Sequence, residues 1–398
     1  MEVVEELEAV DDVVTGRLLS VAGSVGLGPV TPAPGAPGSW PGPPPAVVVE
    51  RRGSLQAAAS TTVRTRSVKT MSRAYLTNKG YSQNLPLYLV RRSTRGPMPE
   101  LPDIEAYLEA LRLRVVGQVL LGVRLLNPFL LRTVDPPLDV VAGGTVATVS
   151  RLGKRLVFEI CSNRSEVPYF LVLHLMIAGR LQWRGPSAAV PRGNVLATFE
   201  FPSGTLFVTE AGTKRRASLH LAHGREALNE LDPGGIEVSA STQGEFAEAL
   251  RRENRTLKRV LTDPRVLSGI GNAYSDEILH RARLSPLKLT GSLSEEEIAG
   301  LHQAAVAVLA EWTERLTAEA REKFPEKVTA FRPGMAVHGK FGSRCPVCGE
   351  PVQRIVYADN ECDYCPGCQT GGRVLADRSL SRLLKDDWPR GAARVEGD

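Results

Sequence analysis

The sequence predicts an α+β fold in which a β-sandwich comes first, a helical region follows, and a small cysteine-bearing module comes last. Short apolar and β-branched runs, separated by Gly, Pro, Asn and Ser, fill residues 98–230, which is the pattern of a sandwich. From about residue 231 to 330 the apolar residues recur at helical spacing. Two Cys-x-x-Cys motifs mark residues 331–370, and residues 371–398 form a polar tail.

Local patterns predict the individual elements. Ile104, Leu108 and Leu111 recur at helical spacing and predict an N-terminal helix with Pro99 at its start. The strand-like runs are 119–126, 145–152, 155–160, 170–175, 196–201 and 205–209. The predicted helices are 245–252, 256–261, 273–281 and 295–316, the last of which begins at a capping box.

Residues 1–97 differ in composition from the rest of the chain. The stretch 29–45 is rich in Pro and Gly and has too few apolar side chains to form a core. We interpret residues 1–97 either as a disordered extension or as upstream sequence that precedes the true start, with an interaction tail as a further option. If translation begins at Met98, removal of that methionine leaves Pro99 as a free secondary amine.

A free amine at Pro99 would be a nucleophile. Such an amine can attack an aldehyde-like sugar carbon and form an iminium ion. Glu100 would lie beside it, placed for proton transfer. If translation begins at Met1 instead, Pro99 is an ordinary amide and this chemistry is impossible.

Composition excludes some classes of protein and favours others. No apolar run reaches the eighteen or so residues that a membrane helix needs, and the acidic start argues against a secretory signal. The net charge of +5 comes mostly from residues 1–97, so a nucleic-acid surface must be local. The basic stretches 214–216 and 251–259 are candidates, with a solvated face as the alternative. We expect a monomer.

Four cysteines have the spacing of a metal site. Cys345 and Cys348 are separated by sixteen residues from Cys365 and Cys368. Four thiolates at this spacing suit one tetrahedral Zn²⁺ ion in a structural role, because no coordination position stays open. Cys362 breaks the spacing and is interpreted as a bystander.

A glycine-rich turn precedes one of the predicted helices. Gly269 and Gly271 permit a tight turn, and the N–H groups at the start of the next helix form an anion site to which Asn272 can add a donor. A plain helix–turn–helix hairpin is the alternative, although Lys258 just upstream favours phosphate binding. Lys154 lies in a turn between two strands and gains interest only if it lies beside Pro99. His174 lies in an apolar run and is assigned no role.

Together these residues resemble the formamidopyrimidine-DNA glycosylase and endonuclease VIII family, and the opening Glu-Leu-Pro is closer to the formamidopyrimidine branch. The resemblance covers residues 99–369 and rests on Pro99–Pro102, Gly153–Lys154, Gly269–Asn272 and the four cysteines. It implies a β-sandwich, a helix–two-turn–helix domain and a zinc finger, with damaged double-stranded DNA held between the domains.

The resemblance also implies roles for individual residues. Pro99 would attack C1′ of a flipped-out nucleotide, Glu100 would assist proton transfer, and β,δ-elimination would cut the strand. Lys154 and Asn272 would bind the phosphates that flank the lesion. Arg215 would be inserted opposite the lesion. No diffusible cofactor is required, and the expected location is cytoplasmic and nucleoid-associated, in a bacterial-type cell.

The chain departs from the family pattern in three places. The finger position that carries a phosphate-binding arginine in the family is Asn360, which loses the charge. The position of the family's Phe wedge is Ala217, and that of its companion Met is Ile177. Residues 324–333 lack the Gly-Thr-rich loop that closes over oxidised purines.

Three functions are therefore open. The first is a glycosylase and abasic-site lyase acting on oxidised purines such as formamidopyrimidine and 8-oxoguanine. The second keeps this chemistry but acts on oxidised pyrimidines or abasic sites. The third is a non-catalytic module that binds damaged DNA, which a retained N-terminal extension would favour.

Overall fold

The computed structural model describes residues 98–191, 193–212, 214–357 and 360–375, apart from the side chains of residues 357 and 360. The predictions made for residues 1–97 and for the tail after residue 375 lie outside the described residues. Within the described part of the chain, no helix combines the length and apolar character needed to cross a membrane.

Eight strands form the first half of the described chain. They are β1 Gly122–Leu125, β2 Thr145–Leu152, β3 Arg155–Cys161, β4 Tyr169–His174, β5 Gly179–Arg184, β6 Val195–Phe201, β7 Gly204–Glu210 and β8 Ser218–His223. One antiparallel sheet has the order β2-β3-β4-β8 and the other has the order β1-β6-β7-β5. The predicted sandwich is confirmed.

The core of the sandwich follows from alternation along the strands. In β3, Leu156, Phe158 and Ile160 join the main core, whereas Val157 points to a smaller cluster on the opposite face. Helix α1, Leu101–Val115, packs into the main core through a buried apolar face. This packing fixes the start of α1, where Pro99 and Glu100 lie.

A second core joins the helices that follow. After α2, Gly224–Asn229, these are α3 Gln243–Arg251, α4 Leu257–Thr262, α5 Asn272–Arg281 and α6 Glu295–Glu322. Short 3₁₀ helices lie at Pro128–Leu130, Leu138–Val141, Val238–Ala240 and Thr290–Ser292. The capping box predicted from Ser294 and Glu297 is present at the start of α6. The far end of α6 packs against the sandwich, so α6 connects the two cores.

The cysteine-bearing module is a hairpin followed by one helical turn. Its elements are β9 Gln353–Tyr357, β10 Asn360–Tyr364 and α7 Pro366–Thr370. Strands β9 and β10 pair in antiparallel register between the two Cys-x-x-Cys motifs. Helix α5 packs against β10, which places the module against the helical region.

The sequence patterns did not predict β5 and β8, and α6 ends six residues beyond its predicted end at residue 316. Strands β5 and β8 each lie at the edge of a sheet, and their sequences Gly-Arg-Leu-Gln-Trp-Arg and Ser-Leu-His-Leu-Ala-His alternate polar with apolar residues. Runs of consecutive apolar residues therefore do not mark these two strands. Helix α6 continues past Leu316 because Ala320 extends the buried stripe by one turn.

Candidate active site and metal centre

The start of α1 is fixed against the glycine-rich turn. The Leu101 N–H donates to the Gly269 carbonyl at 2.9 Å, and the Glu100 N–H donates to Asp103 Oδ2 at 2.9 Å. Asp103 is itself held by Arg332 at 2.7 Å. Pro99 directly precedes Glu100 and is buried. These bonds hold Pro99 between the sandwich and the helical region.

The Glu100 carboxylate lies at the N-terminus of α5. It accepts N–H bonds from Gly271 at 2.7 Å, Ala273 at 2.8 Å and Tyr274 at 3.1 Å. A Cβ on Gly271 would lie 2.5 Å from the Glu100 carboxyl carbon, so only glycine leaves room for this contact. Burial raises the pKa of Glu100, and the charge of Lys154 and the N–H bonds oppose that rise.

The anion at this helix terminus differs from the one predicted. The sequence indicated a candidate phosphate site at the N–H groups that begin α5, with a plain helix–turn–helix hairpin as the alternative. In the structure the Gly271 N–H donates to the carboxylate of Glu100, which lies 171 positions earlier in the chain. The role of Gly271 as a DNA contact is corrected accordingly, because its donor is already used within the site.

Lys154 lies close to Glu100 and to the glycine-rich turn. Its ammonium donates to the Ile270 carbonyl at 3.0 Å and interacts with the Glu100 charge. Burial lowers the pKa of Lys154, and the charge of Glu100 opposes that change. Lys154 therefore lies close to Glu100, the residue that directly follows Pro99.

An ion-pair cluster aligns the two sides of this site. Arg151 binds Glu105 of α1 at 2.6 Å and makes a two-pronged contact with Glu237 at 2.6 and 2.8 Å. Glu237 also accepts from Ser268, which directly precedes the glycine-rich turn. Since Arg151 lies three residues before Lys154, the cluster fixes Lys154 relative to the turn.

His174, to which the sequence assigned no role, lies close to the charge of Lys154. It pairs with Arg155 across the sheet. Within the described residues its Nε2 is buried without a hydrogen-bond partner. Burial, followed by the charges of Arg155, Lys154 and His220, lowers the pKa of His174 to about 4. No local signal reveals this, because the cluster forms only when strands β3 and β4 pair.

Lys258 has a different environment from the one predicted for it. Its ammonium is buried and donates to the Asn272 carbonyl at 2.7 Å, Ser275 Oγ at 2.8 Å and Asp276 Oδ1 at 2.6 Å. All three N–H donors are therefore used inside the protein. The structure contradicts a direct phosphate contact and makes Lys258 a support for the first turn of α5.

Asp276 continues this buried network into the cysteine-bearing module. Its second oxygen accepts from His338 Nδ1 at 2.8 Å and from the Asp363 N–H at 3.2 Å. Asp363 is in turn bound by Arg354 at 2.7 Å. The side chains of Asp276, His338 and Asp363 are close enough to hold a metal ion. The ammonium of Lys258 and the guanidinium of Arg354 already compensate the acids.

The side chains of the remaining predicted DNA contacts differ in their exposure to solvent. The Asn272 side chain is half-exposed, and Arg215 is exposed with one bond to the Gly193 carbonyl at 3.1 Å. Ala217 is 3 % exposed and belongs to the sandwich core, so it does not act as a wedge. The side chain of Asn360 lies outside the described residues.

Residues 324–333, which lack the Gly-Thr-rich loop of the family pattern, are packed against the rest of the protein. Phe324 and Val328 belong to the sandwich core. The Val328 carbonyl accepts from Arg180 at 2.8 Å, and Arg332 binds Asp103 at 2.7 Å. This segment is fixed at several points beside the start of α1.

The four predicted cysteines converge at one end of α5. Cys345 Sγ lies 3.8 Å from Cys368 Sγ, and Cys348 Sγ lies 3.2 Å from Cys365 Sγ. His280 joins them from α5, with Nε2 3.3 Å from Cys345 Sγ. Clustered thiols with two of the four buried suit a soft metal ion, and the donor set fits Zn²⁺. His280 lies 65 positions before Cys345, so no spacing in the sequence connects it with the cysteines.

Comparisons with known proteins agree with this arrangement. The model of the formamidopyrimidine-DNA glycosylase N-terminal domain matches residues 98–225, and that of the formamidopyrimidine-DNA glycosylase H2TH domain matches residues 234–321. The two matches cover the sandwich and the helical region, which together make up more than half of the chain. The chain belongs to the formamidopyrimidine-DNA glycosylase family, which confirms the resemblance.

Individual relatives extend over most of the described chain. Formamidopyrimidine-DNA glycosylase of Thermus thermophilus is 35% identical over 287 residues, which is 69% of this chain and 100% of that protein. A formamidopyrimidine-DNA glycosylase-like protein of Mycobacterium tuberculosis is 42% identical over 155 residues, covering 39% of this chain and 94% of the relative.

Solved structures of the Lactococcus lactis enzyme have the same fold. A variant bound to Fapy-dG-containing DNA has a TM-score of 0.61 and 26% identity, and it covers 68% of this chain and 100% of its own. The wild-type enzyme bound to DNA containing an oxidised pyrimidine has a TM-score of 0.59, 25% identity and the same coverage.

Proposed function

We propose that this chain is a base-excision-repair DNA glycosylase with abasic-site lyase activity, acting on oxidised purines in double-stranded DNA. The observation that carries the proposal is the Glu100 carboxylate, which is held by three N–H groups at the start of α5, directly follows buried Pro99 and lies close to the Lys154 charge. An acid whose pKa is raised by burial carries a proton closer to neutral pH, where proton transfer to a sugar is efficient.

In the proposed reaction the free amine of Pro99 attacks C1′ of the damaged nucleotide. The C1′–N bond breaks, and its electron pair leaves with the base, which takes up a proton. The amine loses its own proton, and the sugar ring opens to an iminium ion at C1′, with Glu100 placed to protonate the ring oxygen. Loss of a C2′ proton then expels the 3′ phosphate, and loss of the C4′ proton in a second elimination expels the 5′ phosphate. A buried amine stays uncharged more readily, which favours the first step.

Lys154 and Asn272 are the proposed phosphate contacts. Lys154 brings a positive charge close to Glu100 and to the turn, and Asn272 is half-exposed at the mouth of α5. His174 offers an unpartnered ring nitrogen close to the Lys154 charge and suits an acceptor such as a phosphate oxygen. Arg215 remains a proposed contact opposite the lesion because it is exposed. Asn360 remains a proposed DNA contact in the cysteine-bearing module, and its side chain lies outside the described residues.

One structural zinc ion is the proposed cofactor. Cys345, Cys348, Cys365 and Cys368 would hold it, and when bound it would cross-link the two Cys-x-x-Cys turns. It would take no part in the reaction, because four thiolates fill its coordination sphere. The monomeric state, the cytoplasmic location and the assigned domain boundaries remain predictions.

Borohydride trapping on a duplex with one abasic site tests the lyase proposal. The chain should be produced from Met98, from which methionine removal exposes Pro99, alongside a Pro99→Gly variant and the 398-residue chain. We expect a covalent adduct with the shorter form, a weaker one with Pro99→Gly and none when residue 98 still acylates Pro99. Absence of an adduct with the shorter form would contradict the lyase role.

The natural N-terminus decides between an enzyme and a non-catalytic DNA binder. Intact-mass measurement of the protein from its own cells should give a species that begins at Pro99. A mass that includes residues 1–97, with no shorter species, would favour the binding module.

One observation favours oxidised pyrimidines or abasic sites as a second candidate substrate class. The segment 324–333 is fixed to the core and to Asp103, so it is poorly suited to close over a purine. Rates of cutting of 8-oxoguanine and thymine-glycol duplexes separate the candidates. Faster cutting of 8-oxoguanine supports the first, and faster cutting of thymine glycol supports the second.

A further inference from the structure

A buried histidine contacts one of the cysteine thiols at the end of α5. His280 is 6 % exposed, and its Nε2 lies 3.3 Å from the sulfur of Cys345, which is 2 % exposed. The Val347 N–H approaches the same sulfur at 3.4 Å. A buried thiolate needs donors that balance its charge. The Val347 N–H is one such donor to Cys345, and a ring N–H on His280 can supply a second.

The contacts assign His280 to Cys345 rather than to the metal itself. The two Cys-x-x-Cys turns bring four sulfurs together, with Cys345 Sγ 3.8 Å from Cys368 Sγ and Cys348 Sγ 3.2 Å from Cys365 Sγ. His280 is close to Cys345, Cys365 and Cys368, but its hydrogen bond goes to Cys345. The Cys-x-x-Cys turns thus supply four ligands on their own, and the imidazole acts through one of them.

Helix α5 carries the two ends of this arrangement. It has ten residues, so it spans about 15 Å between its first turn and its last. The N–H groups of the first turn bind Glu100, and the last turn presents His280. In the middle, Glu277 accepts the N–H groups of the three residues that lead into the cysteine-bearing module, Ala336, Val337 and His338.

We propose that His280 is a positioning residue that donates an N–H bond to the Cys345 thiolate and thereby anchors the metal centre to the helix that holds Glu100. The proposal rests on the proposed binding of zinc by the four cysteines. If His280 makes this bond, the metal centre stabilises the first turn of α5 as well as the cysteine-bearing module.

Zinc affinity tests the first half of the proposal. It should be measured on the 398-residue chain by competition with a chromophoric chelator, for the natural chain and for His280→Phe, His280→Gln and His302→Phe. Loss of a donor to a metal-bound thiolate typically weakens the metal site about 10- to 100-fold. We expect that loss for His280→Phe and a smaller one for His280→Gln, whose amide can still donate.

His302→Phe is the matched control. His302 also lies on a helix and bonds one side chain, Ser241, but that partner is not a cysteine. It should leave zinc affinity unchanged. Equal affinity in the natural chain and both His280 variants would overturn the proposal. Cys365→Ser tests zinc binding separately, since retention of full affinity there would refute the proposed zinc site instead.

Cobalt spectra distinguish a donor from a ligand. If His280 is a donor, the Co²⁺-loaded natural chain and His280→Phe should share a four-thiolate spectrum, and Cys348→Ser should lose it. If His280 is a ligand in place of Cys348, His280→Phe should lose the spectrum and Cys348→Ser should keep it. The second pattern would overturn the proposal.

Amide hydrogen exchange tests the coupling along α5. In zinc-saturated His280→Phe, the amides of Gly271, Ala273 and Tyr274 should exchange faster than in the natural chain, while those of α3 should be unchanged. Unchanged exchange at these three amides would overturn the claimed link to Glu100.

Discussion

At the scale of single residues, the site depends on the space left by one glycine. The backbone of Gly271 is extended, with φ −131° and ψ −152°, which any residue adopts. Glycine is therefore required by space alone. The carboxylate of Glu100 fills the volume that a Cβ would take, and this is how a buried acid reaches the N–H groups of α5.

Gly271→Ala should displace Glu100 from the mouth of α5. We expect a loss of about 1–3 kcal/mol in the free energy of unfolding, as for other overpacked buried positions, together with loss of base excision. Gly300→Ala is the control, because nothing lies within 4 Å of its added Cβ in helix α6. That change should stabilise the protein by about 0.5–1 kcal/mol. Urea unfolding measures both effects, and a neutral Gly271→Ala would contradict the argument.

His174 should make stability depend on pH. Its pKa is about 4 in the folded chain and 6.5 when unperturbed, so between these values the unfolded chain binds more protons. Stability is therefore lost as pH falls from 6.5 towards 4, by roughly 3 kcal/mol in total. His174→Phe should flatten that part of the urea-midpoint profile, whereas His302→Phe should leave it unchanged. A His174→Phe profile as steep as that of the natural chain would count against this.

At the scale of elements, α5 organises both the site and the module behind it. Its first turn binds Glu100 through N–H groups, and Asp276 and Glu277 in its middle bind groups from α4 and from the finger. Lys258 closes this arrangement, since it bonds both the Asn272 carbonyl and Asp276. The desolvation of Asp276 alone would raise its pKa, but Lys258 and His338 hold it below its usual range.

Lys258→Met should destabilise the fold without removing a DNA contact. It leaves the buried Asp276 without its ammonium partner, a change that typically costs about 3–5 kcal/mol. Under conditions where the variant stays folded, the dependence of DNA binding on log salt concentration should keep its slope. Lys154→Met, which removes a proposed phosphate contact, should reduce that slope by about 1. A reduced slope for Lys258→Met would restore the phosphate role.

At the scale of the whole molecule, the site forms where the sandwich and the helical region meet. Pro99, Glu100 and Lys154 come from the sandwich side, whereas the glycine-rich turn comes from the helical side. Arg151 and Glu237 join these sides with two charge-assisted bonds. Such two-pronged contacts fix orientation as well as distance.

A double-mutant cycle on Arg151→Met and Glu237→Gln should therefore reveal coupling. We expect about 0.5–3 kcal/mol of interaction free energy in thermal or urea unfolding, the usual range for side chains in direct contact. The exposed pair Arg225 and Glu159, at 3.5 Å, is the comparison and should give little coupling. Additive effects of the Arg151 and Glu237 changes would show that the pair does not hold the two sides together.

The sequence alone determined the features that depend on local spacing. Periodicity predicted the sandwich, the order of the helices and the cap of α6, and the paired Cys-x-x-Cys motifs predicted that the four cysteines come together. Adjacency in the chain likewise placed Glu100 beside Pro99. These signals are short-range, so they survive without knowledge of the partners.

Only the tertiary structure decided what each donor and acceptor binds. The α5 N-terminus binds Glu100 rather than a phosphate, Lys258 is buried against Asp276, and His280 joins the cysteines from 65 positions away. Long-range pairing of this kind is set by how two cores pack around α6, and the residues carry no spacing that records it. Charge and residue type fix what a group can bind, whereas packing fixes which partner it meets.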